Sequence, residues 1–248
     1  MLTIIIVFIT TFVGTLFSSM AGGGSSVLIL PIFLSLGLSF PQASVIMKVG
    51  GVFGAPPAAY NYLKNRSIDW KFLLLFTGIG LFGAYLGVLA ITEINERLLK
   101  VFVGILILLV VAYISFQKEL GLKEKLTISI KHRIAAYPFA LLLGFYESIL
   151  GSANGILFAI VSMKTRGFDF IDALGHYYII AFFWTLFAAV LLFKYGIHDI
   201  PLMVSGIVGS IAGNYIGSAF AKGKGNKFIK TMFAIVGMVL GLKLMFNL

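Results

Sequence analysis

MAGGGSSVLILP, Met20 to Pro31, stops an apolar run at a depth where a membrane helix should continue. Gly22, Gly23 and Gly24 stand in a row, and Ser25 and Ser26 follow. Each glycine costs a helix interior about 1 kcal/mol relative to alanine, so three together predict a break. Apolar segments flank it and recur along the chain. The 248 residues are 60% hydrophobic and 11% charged, with a mean hydropathy of +1.04. A soluble domain carries about 25% charged residues. Repeated runs close to the ~20 residues that span a bilayer predict an all-α polytopic membrane protein, because a helix satisfies its own backbone in lipid.

Several functions fall away at once. There is no cysteine, hence no disulfide framework and no thiolate chemistry. The three histidines lack metal-ligand spacing, HExxH and CxxC do not occur, and no GxxxxGK[ST] loop offers ATP a site. No cofactor is implied. A net charge of +10 would suggest nucleic acid on a soluble basic face. Here the cations fall between apolar runs, which is a topology pattern. The residues Ser18-Ser19-Met20-Ala21 resemble a cleavage site. No Lys or Arg precedes the apolar run, however, so the first segment is expected to be retained rather than removed as a signal peptide.

The runs cover about 2–36, 43–63, 72–91, 98–116, 134–163, 173–193, 200–221 and 228–246. The first is broken at Gly22–Gly24 and the fifth near Gly151–Gly155. Connections 64–71, 117–133, 164–172 and 222–227 are rich in Lys and Arg, whereas 37–42, 92–97 and 194–199 are poor or offset by glutamates. Positive loops face the cytoplasm. All four rich loops share a side only if the run at 134–163 returns to the side it entered. Each broken segment is therefore expected to be a re-entrant hairpin or two short crossings. The expected location is the plasma (inner) membrane of a prokaryotic cell, surrounded by lipid, with the basic central loop cytoplasmic.

A shift of 130 residues superimposes the chain on itself. GAYLG at Gly83–Gly87 lands on GNYIG at Gly213–Gly217, Gly14 on Gly144, Ser18 on Ser148, Asp69 on Asp199 and Lys100 on Lys230. This divides the chain into a first repeat at 1–116, the basic loop at 117–133 and a second repeat at 134–248. The loop charges then place the two halves in opposite orientations. That is an inverted-topology repeat, each half holding one broken hairpin and three transmembrane helices, a plan found in secondary transporters.

The breaks occupy matching positions in the two halves. A half-helix that starts at membrane depth presents free N–H groups and about +0.5 charge, which suit a small anion. Gly22, Gly23, Gly24, Ser25 and Ser26 in one break, and Ser152, Asn154 and Gly155 in the other, are the candidate binding residues. Small-residue helix packing is the competing reading. Lys48 is a cation inside a span, a candidate anion partner or a snorkelling side chain. Glu147 lies seven residues before Asn154, about two turns away on one face. It is a candidate proton-coupling group or a structural partner of Lys48. His176 is a second titratable candidate, or a residue facing water at its helix start. Tyr60, Asn61 and Tyr62 read as an interfacial belt, and Tyr85 and Tyr215, flanked by glycines, as helix-packing residues.

The segments AGGGSSVLILP, FPQASVIMKVGGVFGAPPAAYNYLKNRSIDW, GFYESILGSANG, RGFDFIDA and GNYIGSAFAKGKGNKFIK resemble the sulfite exporter TauE/SafE family, also called DUF81 membrane permeases, over nearly the whole chain. The resemblance implies export of sulfite or organosulfonates coupled to an ion gradient. Many relatives carry a T-[NS] pair before the lysine that corresponds to Lys48; Ile46 and Met47 stand there instead. The expected function is a proton-coupled secondary transporter exporting a small anion. A passive anion channel is the alternative. No nucleophile–base grouping favours an intramembrane enzyme, and an assembly subunit without flux remains a further class. A homodimer is left open.

Overall fold

Three consecutive positive φ angles, 83° at Gly22, 129° at Gly23 and 103° at Gly24, end the first helix and turn the chain. Only glycine adopts such a run without strain. This is seen in a computed structural model that describes residues 1–90, 96–125, 127–149, 151–193 and 199–246. Most of the connections at 92–97 and 194–199 lies outside that set. The described residues are helical, with no strand among them.

Helices α1 (Leu2–Ala21) and α2 (Ser25–Ser35) flank the first break. They fold back on each other, because a Cβ on Gly14 would sit 2.8 Å from Ile29. Next come α3 (Phe40–Leu63), α4 (Trp70–Ala90) and α5 (Glu96–Phe116). The short α6 (Ile130–Ile134) ends the central connection, and α7 (Tyr137–Ile149) and α8 (Asn154–Thr165) flank the second break. The chain finishes with α9 (Phe170–Phe193), α10 (Ile200–Lys224) and α11 (Asn226–Phe246). The bounds of α9 and α11 repeat those of α3 and α5 after 130 residues. Among the described residues, α1, α4, α9, α10 and α11 are long and apolar enough to span a membrane. The 24-residue α3 has the length, but Lys48, Pro56 and Pro57 make it less apolar.

Local chemistry sets the helix ends. The Ser39 hydroxyl accepts from Gln42 N–H while the Gln42 side chain accepts from Ser39 N–H, a capping box that starts α3. Asp69 Oδ1 accepts from Phe72 N–H at 3.0 Å, and Asp199 Oδ1 from Leu202 N–H at 3.1 Å, so matching aspartates start α4 and α10. Pro31 has no N–H to give the Val27 carbonyl. Lys243 Nζ donates to that carbonyl at 2.9 Å instead.

Helix contacts define two sets of parallel helices. Thr11, Thr15 and Ser19 of α1 meet Gly209, Gly213 and Gly217 of α10 in the same order. Gly50 and Gly54 of α3 meet Ser210 and Asn214 of α10. In the other set, Gly80 and Gly87 of α4 meet Gly144 and Ser148 of α7. Phe72 and Phe76 of α4 meet His176 and Trp184 of α9. The sets oppose each other, since Gly51 of α3 lies against Thr185 of α9 and Leu63 against Gly175. Thus α1 and α3 run opposite to their counterparts α7 and α9.

The two hairpins are unequal. The first has an arm of 20 residues in α1, whereas α7 has 13, with α6 and a turn preceding it. Tyr85 and Tyr215 are half exposed, and the glycines beside them make the closest helix contacts. A Cβ on Gly213 would overlap the Phe12 carbonyl, and one on Gly83 the Leu141 carbonyl. Gly213→Val is expected to cost about 1–3 kcal/mol through this collision. Tyr215→Phe should change stability by no more than about 0.5 kcal/mol. Thermal unfolding in detergent compares them, and equal melting temperatures would remove the glycine stripe as the spacer between α1 and α10.

The connections 64–69, 117–125, 127–129, 166–169 and 225 gather at one end. Lys222 Nζ donates to the Asn61 and Lys64 carbonyls, Lys125 N–H to the Gly167 carbonyl, and Asn226 Nδ2 to the Leu122 carbonyl and Asp169. Tyr62, expected in an interfacial belt, is fully buried here. Its hydroxyl donates to the Ser19 carbonyl at 2.6 Å, near the end of α1. Tyr60 is 60% exposed and fits the belt.

Candidate anion site

The two breaks touch. A Cβ on Gly23 would stand 3.2 Å from Ala153 Cα, and one on Gly155 would overlap the Gly22 carbonyl. The second turn uses left-handed backbone as well, at Gly151 (φ 63°) and Ala153 (φ 61°). At this junction α2 begins: Val27 N–H bonds the Gly24 carbonyl at 3.2 Å, and the N–H groups of Ser25 and Ser26 precede that first helical bond.

A cavity of about 130 Å³ adjoins the junction. Gly23, Gly24, Ser25 and Ser26 line it from the first break, Lys48 and Gly51 from α3, and Glu147 and Gly151 from the second break. Thr11, Thr15, Thr185, Ser210 and Asn214 add hydroxyl and amide groups.

Glu147 sits in the last turn of α7, 6% exposed. Its Oε1 lies 3.4 Å from Lys48 Nζ, and Thr185 Oγ1 donates to the same oxygen at 3.4 Å. Asn154 Nδ2 donates to Oε2 at 2.8 Å. Lys48 also donates to the Glu147 main-chain carbonyl at 2.8 Å. That carbonyl is available because Gly151 N–H, its helical donor had α7 continued, turns to the Tyr146 carbonyl. The break therefore creates the acceptor that holds Lys48. An ammonium has three hydrogens; these two bonds leave one for the cavity.

The candidate residues separate into groups. Gly23, Gly24, Ser25, Ser26, Lys48 and Glu147 line the cavity. Gly22 and Gly155 form the junction behind it. Asn154 acts through Glu147, and its amide donates also to the Leu143 carbonyl at 3.1 Å. The Ser152 carbonyl accepts from the Tyr146 hydroxyl at 2.6 Å, while its own hydroxyl is buried without a hydrogen bond. His176 lies apart from the cavity wall. Rather than facing water, it is fully buried, because the connection 64–69 covers the start of α9. Its Nε2 accepts from Asp69 N–H at 3.0 Å, and Nδ1 is 2.8 Å from the Asp172 carbonyl, which makes Nδ1 the protonated nitrogen of a neutral ring.

The wall residues Thr11, Thr15, Ser210 and Asn214 escaped the sequence reading. Their signal was a spacing of four within otherwise apolar runs, one polar stripe per helix. Lys243 escaped too, although a lysine within a span is notable by itself.

Comparison with known proteins agrees with a membrane transporter. The chain is 26% identical to a probable membrane transporter protein, ORF9, of a Sinorhizobium species, across 96% of this chain and 90% of that one. It is 27% identical to a probable membrane transporter protein of Haemophilus influenzae, across 98% and 94%. It is 24% identical to the probable membrane transporter protein YfcA of Escherichia coli K12, across 98% and 89%. No solved structure gives a significant match. The sulfite exporter TauE/SafE family matches residues 6–244, almost the whole span of the helices described above, and the chain belongs to that family of membrane transporters.

Proposed function

We propose that this protein is a secondary transporter that exports a small anion, of the sulfite or organosulfonate class, by alternating access coupled to proton movement through Glu147. The observation that carries this reading is the meeting of two helix breaks, from oppositely running halves, beside a cavity lined by Lys48 and Glu147. Opposed repeats with broken helices at their interface support rocking of one half against the other around a central site. The antiparallel relation of α1 and α3 to α7 and α9 supports an inverted repeat. The family name supports the anion class, and bacterial relatives support a prokaryotic inner membrane with the basic end cytoplasmic. A hydroxyl-rich wall that includes Lys48 suits an oxyanion, which accepts several hydrogen bonds at once.

Purified protein in proteoliposomes tests the reading against sulfite, sulfate, sulfonates and carboxylates, with and without a pH gradient. Saturable sulfite counterflow that responds to the gradient is expected. Conductance far above carrier turnover would make the protein a channel, and no flux of any anion would make it an assembly subunit.

A further inference from the structure

The end where the basic connections gather is bridged twice, reciprocally, between the two halves. Arg66, in the connection before α4, donates through one nitrogen to Asp169 Oδ2 and Asp172 Oδ2, both at 2.9 Å. Asp169 caps α9, its Oδ1 accepting from Asp172 N–H at 2.8 Å. Conversely Arg166, before α9, donates to Asp69, the cap of α4. Its guanidinium also stacks over the Phe72 ring, 4.7 Å from the centroid. Each half thus sends an arginine to the helix cap of the other. Burial alone would raise the Asp69 carboxyl, but the Phe72 N–H and the Arg166 guanidinium outweigh it and hold it below the usual carboxylate range.

The repeat supplies a comparison within the molecule. Shifted by 130 residues, Asp69 corresponds to Asp199, Asp169 to Ser39 and Asp172 to Gln42; Asp69, Asp199, Asp169 and Ser39 cap helices, and Gln42 completes a capping box where Asp172 instead binds Arg66. The caps therefore recur in both halves. The arginines do not: Leu36 stands at the position equivalent to Arg166, and Gly196 at that equivalent to Arg66. Neither residue has a side chain that can donate. Among the described residues, the reciprocal arginine bridges stand at one end, added to a cap scaffold that both ends share.

Along α3 the order from cavity to bridges is Lys48, Gly51 and Ala55 on the wall, then Tyr62, then Arg66. Tyr62 stacks on Tyr178 with centroids 6.2 Å apart and planes 11° from parallel, filling the layer between. We propose that Arg66 and Arg166 form a clamp that holds the two halves shut at the basic end, and that it must release for the cavity to open there. The inference rests on the alternating-access reading.

The absence of native cysteine makes Ala55→Cys a unique thiol on the cavity wall. Vesicles of both orientations are treated with a membrane-impermeant thiol reagent, with and without methanesulfonate, which leaves the reagent intact where sulfite would consume it. With the arginines present, labelling without the sulfonate should come mainly from the end opposite the basic connections, and methanesulfonate should raise labelling from the basic end. In Arg66→Met/Arg166→Met, basic-end labelling without the sulfonate should rise about tenfold and opposite-end labelling should fall. Arg66→Lys/Arg166→Lys keeps both charges and should shift less. If the methionine pair does not assemble, Asp69→Asn removes one bridge and should move labelling in the same direction. A methanesulfonate response in the parent together with unchanged labelling in these variants overturns the clamp alone. No methanesulfonate response from either side in the parent overturns the alternating-access reading and the clamp with it.

Discussion

Lys48→Met is expected to lower sulfite transport in proteoliposomes by at least about a hundredfold, the consequence of removing the cation that lines a low-dielectric anion site. Two effects act together. The cavity loses its positive charge, and Glu147 loses its cation while remaining 6% exposed. Stranding one member of a buried pair costs about 3–5 kcal/mol, reduced here because the Lys48 side chain retains 15% exposure. A double substitution separates the effects. Lys48→Met/Glu147→Gln removes both charges and should recover the melting temperature measured in detergent, because neither ion is left unpaired. It should not recover transport. Near-parental sulfite flux in the double variant would reduce the pair to a structural strut and move the anion site elsewhere.

Glu147→Gln is expected to abolish the pH dependence of transport while sparing sulfite exchange. The substitution is mild for the fold. Lys48 keeps its bond to the main-chain carbonyl of residue 147, and a glutamine oxygen can still accept from Asn154. The sign follows from electrostatics. Protonating Glu147 removes a negative charge from beside Lys48, so anion and proton favour each other's binding and cross together; an acid exterior then drives uptake in vesicles, and export follows the anion's own gradient and charge. In the parent, sulfite affinity should rise on acidification by at most about tenfold per pH unit, the limit for one linked proton. In the variant it should be flat, apart from the titration of sulfite itself, which a permanently charged sulfonate control removes. Full gradient-driven uptake by Glu147→Gln would exclude this carboxyl as the coupling group.

The breaks were legible because glycine runs and apolar runs answer to local rules. Three positive φ angles in succession require glycine whatever surrounds them. Helix extents were legible within a few residues, as the second run shows: it was placed at 43–63 and begins at Phe40 because Ser39 and Gln42 form a capping box. Partners were less legible. Gly22 touches Gly155, and Lys48 reaches the carbonyl of residue 147, contacts set by how the two halves dock. Tyr62 and Tyr60 are two residues apart with the same side chain, yet one is fully buried and the other 60% exposed.

Lipid explains this division. The chain itself determined the spans and the interruptions, because hydrocarbon obliges each segment to satisfy its own backbone and glycine tolerates left-handed turns most readily. Only the tertiary structure decided which faces meet: which tyrosine is enclosed, that His176 lies under a connection, and that hydroxyls from α1, α9 and α10 share a cavity with Lys48 and Glu147. Lipid tails are as apolar as leucine, so a face turned to lipid and a face turned to another helix have nearly the same composition. The choice between them rests on close packing at small residues and on hydrogen bonds between segments far apart in the chain.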